Sequence, residues 1–483
     1  MTAVIRIAAE EWRYWFRSRL AISAVALMAL VVVASVISTV SRVQSDTEAR
    51  NSLQLAAEET FLAQPDRHPH RMVHYGHYVF RAPAPLAVID PGVDALTGTV
   101  MFLEGHRQNS ATFPSAYSAP RAAGFSLLSP AFTYQVLVPL VLIVVGFSIV
   151  ARERELQTDT QLTAQGVHVK VLWMGKSLAL LGLGAVVLLP LAIASAWSIT
   201  WGEPAATIAV LLLAYLLYLA FWSFAIVGIS ARTKSPAMAL LWCCVAWLVV
   251  GILVPRLASD VSNAVSPVAG KLQTDMALIE AMRSVGDGHN AADPAFESLR
   301  ARVLDEYGVE SVEQLPVNFR GIVAETAEAN LTEVLNRFAE QRMQSEMEQA
   351  RIARYGGLFS PMASIRSASM LIVGSDLGHH HRFLREAEAA RFEFVQGLNR
   401  AHVDQLSYID DINRNKGDAE WLRARVSSDN WRVLQSFNFR PAPASDRIAA
   451  AGGALLLLLL WCVAAAGFAY SGLGSSTRQF HVR

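Results

Sequence analysis

Charge is scarce in this sequence. Asp, Glu, Lys and Arg make up 17% of its 483 residues, against about 25% in an ordinary soluble domain. The deficit excludes a normal soluble surface. Lys+Arg and Asp+Glu are equal at 41 each, so no global electrostatic argument favours nucleic acid. Cysteine is nearly missing. Cys243, Cys244 and Cys462 all lie inside apolar runs, which excludes a disulfide framework and a zinc-ligand spacing. No HExxH, GxSxG or kinase signature is present. Gly175-Lys176-Ser177 imitates the end of a phosphate-binding loop, but that motif needs Gly at 170, where Lys stands. An enzyme is therefore not expected. A cleavable signal is not expected either, because the first apolar run is too long and lacks a small-residue cleavage site.

What fills the chain instead is hydrophobic, at 53% of residues. A bilayer core about 30 Å thick needs about 20 apolar residues in a helix. Six runs qualify: Leu20–Val40, Phe132–Val150, Ser177–Trp197, Ala205–Ser230, Ala237–Val254 and Ile448–Tyr470. None contains Asp, Glu, Lys, Arg or His, so each satisfies its own backbone as a helix. The expected fold is a mainly α, polytopic membrane protein with six transmembrane helices and two large extracytoplasmic inserts.

Orientation follows from Lys and Arg in short loops. Arg6, Arg13, Arg17 and Arg19 precede the first run. Arg152, Arg154, Lys170 and Lys176 lie between the second and third, Arg232 and Lys234 before the fifth, and Arg478 and Arg483 after the sixth. The turn Ile199–Pro204 has neither. With six spans these basic elements share one side, so both termini are expected to be cytoplasmic, in a bacterial inner membrane. The expected order is an elbow (1–19), spans at 20–40, 132–150, 177–197, 205–230, 237–254 and 448–470, a cytoplasmic loop (151–176) and a cytoplasmic tail (471–483). Residues 41–131 and 255–447 form periplasmic inserts.

Trp12, Trp15 and Phe16 alternate with Arg13 and Arg17. Aromatics and snorkelling arginines suit the headgroup layer, so an interfacial helix is expected before the first span. Ser41–Leu62 continues the first span. Residues 65–125 read as loops with short strands, which makes the first insert mixed α/β. The second insert is mostly helical: Asp293-Pro294 is a helix start, Glu325–Tyr355 is a long amphipathic run, and Phe383–Asn415 is another.

Ten of the twelve histidines fall in the inserts: His68, His70, His74, His77, His106, His289, His379, His380, His381 and His402. Imidazole suits copper, zinc and iron. The spacing is irregular and no Cys accompanies it, so histidines that organise the inserts by hydrogen bonding are the expected reading, and no metal is assigned.

The spans carry no Asp, Glu or His relay of the kind proton-coupled carriers place in the bilayer. Energy for transport is then expected from a partner. The loop Ala151–Lys176 is the docking candidate, with Arg152, Glu153, Arg154, Glu155, Gln157, Gly166 and Lys176 as its named residues.

At this loop, ARERELQTDTQL (151–162), the sequence resembles the type-2 ABC-transporter permeases, which have an elbow helix, six spans and an ERE-type segment opening the coupling helix. This chain has Gln157-Thr158-Asp159 where relatives carry Gly-Thr-Leu. It is similar, over nearly the whole chain, to a bacterial branch bearing a domain of unknown function. His70, His74-Tyr75-Gly76, Tyr78, Phe80, Pro85-Leu86, Asp90-Pro91-Gly92 and Leu103–Gln108 carry that likeness in the first insert. Leu315–Phe319, Leu358–Pro361 and Gly374–Phe383, with His379, His380 and His381, carry it in the second. The resemblance implies a permease dimer, of identical or sister subunits, working with a cytoplasmic ABC ATPase that holds ATP and Mg. A periplasmic partner and membrane lipid are further expected contacts. A membrane scaffold whose inserts bind a protein or metal is the alternative.

Overall fold

The structure is a computed structural model that describes residues 3–113, 128–286, 288, 290–434 and 437–478. His289 and Arg483 lie outside the described residues. The chain begins with α1 (Ala3–Arg17), then α2 (Arg19–Leu62), α3 (Pro69–Tyr75) and two antiparallel strands, β1 (His77–Phe80) and β2 (Val100–Leu103). The second span, Pro130–Glu155, contains α4 (Val138–Gly146) and ends in α5 (Ala151–Glu155). α6 (Thr158–Ala164) leads to α7 (Val169–Trp197) and α8 (Ala205–Ser230). The fifth span, Pro236–Val265, joins α9 (Pro236–Leu248) to α10 (Val254–Val265). The second insert holds α11 (Lys271–Arg283), α12 (Glu297–Tyr307), α13 (Phe319–Arg354), α14 (Pro361–Val373), α15 (Leu377–Gln405), α16 (Tyr408–Asn413) and α17 (Asp418–Arg423), and α18 (Ala444–Arg478) follows. Six helical segments are long and apolar enough to cross a membrane, and the protein is a mainly α, multi-pass membrane protein.

The first span does not stop at the membrane boundary. α2 runs unbroken for 44 residues, and its far end carries Phe61 into a core shared with Met72, Val73, Phe394, Leu398 and Trp431. The two inserts are thus one packed body. In α13 and α15 the antiparallel pairing is visible in the pairs Glu328–Arg391, Glu340–Arg385 and Glu346–His381. Strand register sets His77 opposite Leu103 and Phe80 opposite Val100.

The second insert is not wholly outside the bundle. α14 has 13 residues, too few to span, yet Met362, Ile365, Ala368 and Ile372 belong to the same core as Leu142, Tyr215 and Leu458 of the spans. Ser360 caps its start by accepting from the Ala363 amide, and Gly374 ends it at φ 81°. The Trp461 indole donates to the Gly357 carbonyl at 2.9 Å, and the Ser360 hydroxyl donates to the Val250 carbonyl. Glu203, Arg447 and the end of α14 meet at the opposite, insert-side rim. α14 therefore dips into the bundle and returns.

Prolines inside the spans explain much of the internal polarity. Pro139 and Pro255 sit just after π-helical turns at Thr133–Leu137 and Val249–Leu253. Proline lacks the N–H that would close the helical bond, and in lipid the carbonyl left over needs another donor. Neighbouring side chains supply it. Tyr218 donates to Gln135 O at 2.6 Å and Trp247 to Val136 O at 3.0 Å. Tyr134 also donates across the bundle to Val187 O at 2.6 Å. Gln135 also donates to Tyr215, whose hydroxyl lies 3.1 Å from Ser369 of α14. Helices in lipid gain little from the hydrophobic effect against one another, so packing and these bonds hold the bundle. In the inserts, burial of side chains such as Trp431 and Phe394 dominates, at about 1.5–3 kcal/mol each.

Candidate coupling site

α1 lies across the base of α7. Gly175 makes this possible, because a Cβ there would meet Ile7 at 2.6 Å. Trp15 is buried and Trp12 half-buried, while Arg13, Phe16 and Arg17 face outward. The aromatic and basic residues read from the sequence thus divide between the two faces of α1.

Glu11 organises this corner and was not singled out in the sequence. It is 2% exposed. Its carboxylate takes two 2.6 Å hydrogen bonds from Arg152 and another from Lys176. Lys176, also 2% exposed, donates to Glu153 as well. The Arg152 guanidinium stacks 3.8 Å from the centre of the Tyr14 ring. The network joins α1, α5 and α7. Buried charges persist only when paired and hydrogen-bonded, and two acids here face two bases. Arg152, Glu153 and Lys176 are consequently turned inward. Arg154 reaches the Thr233 carbonyl at 3.3 Å, tying α5 to the turn before the fifth span.

The open face of the loop belongs to other residues. Glu155, Leu156 and Gln157 are exposed, Leu156 at 67%. Gln157 has φ 56°, a left-handed conformation uncommon outside glycine, and it turns the chain from α5 into α6. Gly166, at φ 79°, turns it again toward α7. An exposed leucine between two charged or polar neighbours on a tight corner is a shape a groove can accept.

At the opposite rim Arg447 gathers the structure in the same manner. It donates to Glu203 at 2.6 Å, to the Ile372 and Val373 carbonyls at 2.9 and 3.2 Å, and to the Ala442 carbonyl. The turn after the third span, the end of α14 and the start of α18 meet there.

The insert histidines separate into four environments. His68 and His402 both hold Asp411, at 3.1 and 2.8 Å, in a buried cluster with Asn318, Arg320 and Arg414. Burial alone would raise the Asp411 carboxyl, but hydrogen bonds from His402 and His68 outweigh it and hold it far below the usual range. His77 is buried against the Phe61 ring, and burial lowers its pKa. His379 pairs with Asp376 and His381 with Glu346. Burial, then the charges of Arg81 and His381, push His380 down to about 4. His70, His74 and His106 form the fourth group, with ligand atoms within 4.8 Å of one another. Tyr75 accepts from Gln64 at 3.0 Å, and Tyr78 packs 4.7 Å from the Phe102 ring.

The first five spans and the loop between α5 and α7 lie within residues 5–300, which match a family profile described as ABC-2 family transporter protein. A second, described as a domain of unknown function (DUF3526), matches residues 275–440, where the second insert lies. The chain matches no curated protein and no solved structure. The first match takes in more than half of the chain, so this protein belongs to the ABC-2 transporter family and is a multi-pass permease component of an ABC transporter.

Proposed function

We propose that the chain is the membrane half of an ATP-driven exporter or mechanical transporter, with both termini in the cytoplasm and both inserts in the periplasm. Two copies, or one copy and a sister permease, pack side by side. A cytoplasmic ATPase carrying ATP and Mg docks on the loop between α5 and α7 through Glu155, Leu156 and Gln157. The observation that carries this reading is the buried Glu11–Arg152–Lys176–Glu153 network directly behind that exposed corner. A push on the loop is delivered to α1 and α7 together, because their charges cannot separate without exposing unpaired ions to a low-dielectric interior. The Lys and Arg of the short loops favour the same orientation. The fused inserts receive the motion through α2, and work on a periplasmic substrate or partner follows from their size.

The test is co-expression with the ATPase and purification in mild detergent. Retention of the ATPase by the wild type, and its loss in Leu156→Asp with an unchanged melting temperature, is the expected result. A permease that purifies alone and does not alter nucleotide hydrolysis in its presence sinks the reading and leaves a membrane scaffold in its place.

A further inference from the structure

Three imidazoles from two separate segments converge on one side of the insert body. His70 and His74 are four residues apart on α3, so they lie on one face of the helix, and their Nε2 atoms are 3.1 Å apart. α3 is fixed at both ends. Pro69 occupies its first turn, His68 caps it by accepting from the His70 amide, and Gly76 ends it at φ 68°.

His106 is brought to them from the loop after β2. Gly105 packs so tightly on α3 that a Cβ would meet Val73 at 2.1 Å, and its amide donates to the Val73 carbonyl at 3.0 Å. His106 itself adopts φ 67°. A side chain in that region costs about 1–3 kcal/mol, and such strain gathers where a side chain must be aimed. The ring centres of His106 lie 5.5 Å from His70 and 5.1 Å from His74.

The orientation of His106 is fixed from behind. Its Nδ1 lies 2.9 Å from Glu328, and its amide donates to the same carboxylate at 3.3 Å. Glu328 is in turn held by the fully buried Arg391. A carboxylate on Nδ1 leaves Nε2 as the coordinating nitrogen, the arrangement that orients histidine ligands around metals. At Zn–N distances of about 2.0–2.1 Å a tetrahedral ion wants its nitrogens roughly 3.4 Å apart. Ligand atoms already within 4.8 Å reach that by side-chain rotation. The other three-residue group, His68, His402 and Asp411, does not suit a cation, because Arg414 and Arg320 already crowd the same carboxylate.

We propose that His70, His74 and His106 form a binding site for a first-row divalent transition ion of the zinc or copper type, with a fourth position open to solvent beside the exposed His74. Glu328 is a positioning residue for it. The site does not depend on the transport reading, and its test needs no ATPase.

The full-length protein, purified in detergent through a tag without histidine and stripped with chelator, is titrated with Co2+, and separately with Zn2+ and Cu2+. The expected result is one ion per chain, with the visible absorption of low-coordinate Co2+. Affinity drops more than about 100-fold in His70→Ala and in His74→Ala, and about 10–100-fold in Glu328→Gln. His379→Ala binds as the wild type does. Preference for Cu2+ over Zn2+ with the same variant pattern supports the site and identifies its ion. His74 is exposed, so His74→Ala is expected to melt with the wild type. Uptake in the wild type no greater than in the folded His74→Ala variant, for all three ions, overturns the proposal.

Discussion

Glu203 receives a 2.6 Å hydrogen bond from Arg447, and both side chains are almost wholly buried. The same guanidinium caps the last carbonyls of α14. Arg447→Ala leaves a buried carboxylate alone and removes those donors. Breaking one side of such a pair costs about 3–5 kcal/mol, so thermal melting in detergent is expected to fall sharply. Glu203→Ala combined with Arg447→Ala recovers part of that loss. A double variant no more stable than Arg447→Ala counts against the pairing as its cause.

The buried network around Glu11 makes a separate prediction. Glu11→Ala takes away the carboxylate that holds Arg152 and leaves Lys176 with Glu153 alone, and a loss of about 3–5 kcal/mol is expected. Glu11→Met with Arg152→Met replaces charge with apolar volume and is expected to restore much of the stability, because the Lys176–Glu153 pair is left intact. ATPase stimulation measured on the same double variant separates structure from coupling: stability returns but stimulation does not.

Tyr218→Phe keeps the ring and deletes the donor to Gln135 O. An unpaired carbonyl next to Pro139 has no water to turn to, and about 1–2 kcal/mol is expected. Thermal melting of Tyr218→Phe beside Phe221→Leu, which deletes no donor, distinguishes a lost bond from lost packing.

His380 gives the inserts a pH dependence with a definite sign. Glu346 favours its charged form, but burial, Arg81, His381 and Arg342 oppose it, and it titrates at about 4 instead of 6.5. Between those values the unfolded chain binds a proton that the folded one refuses. Stability is therefore undiminished above about pH 6.5 and is lost as pH falls toward 4, by about 3 kcal/mol in full. Melting temperature against pH is expected to flatten in His380→Gln. An identical slope in the variant removes His380 as the cause.

The six spans were legible because about 20 uncharged residues in a row admit few other readings. The re-entry of α14 was not, since its 13 residues contain Arg366 and several serines. Its apolar positions match a core whose other half lies in α8 and α18. Glu11 escaped notice for a related reason: its value comes from Lys176, 165 residues away. Composition located the histidines, but only folding divides them. His68 and His70 are two positions apart, yet one turns to Asp411 and the other to His106.

The continuity of α2 has a mechanical consequence. A helix of 44 residues is about 66 Å long at 1.5 Å per residue, with its foot beside the elbow and Phe61 near its head. It is a lever without a joint. A tilt of roughly 5° at the foot sweeps the head through about 6 Å, and the aromatic core gripping that head must travel with it.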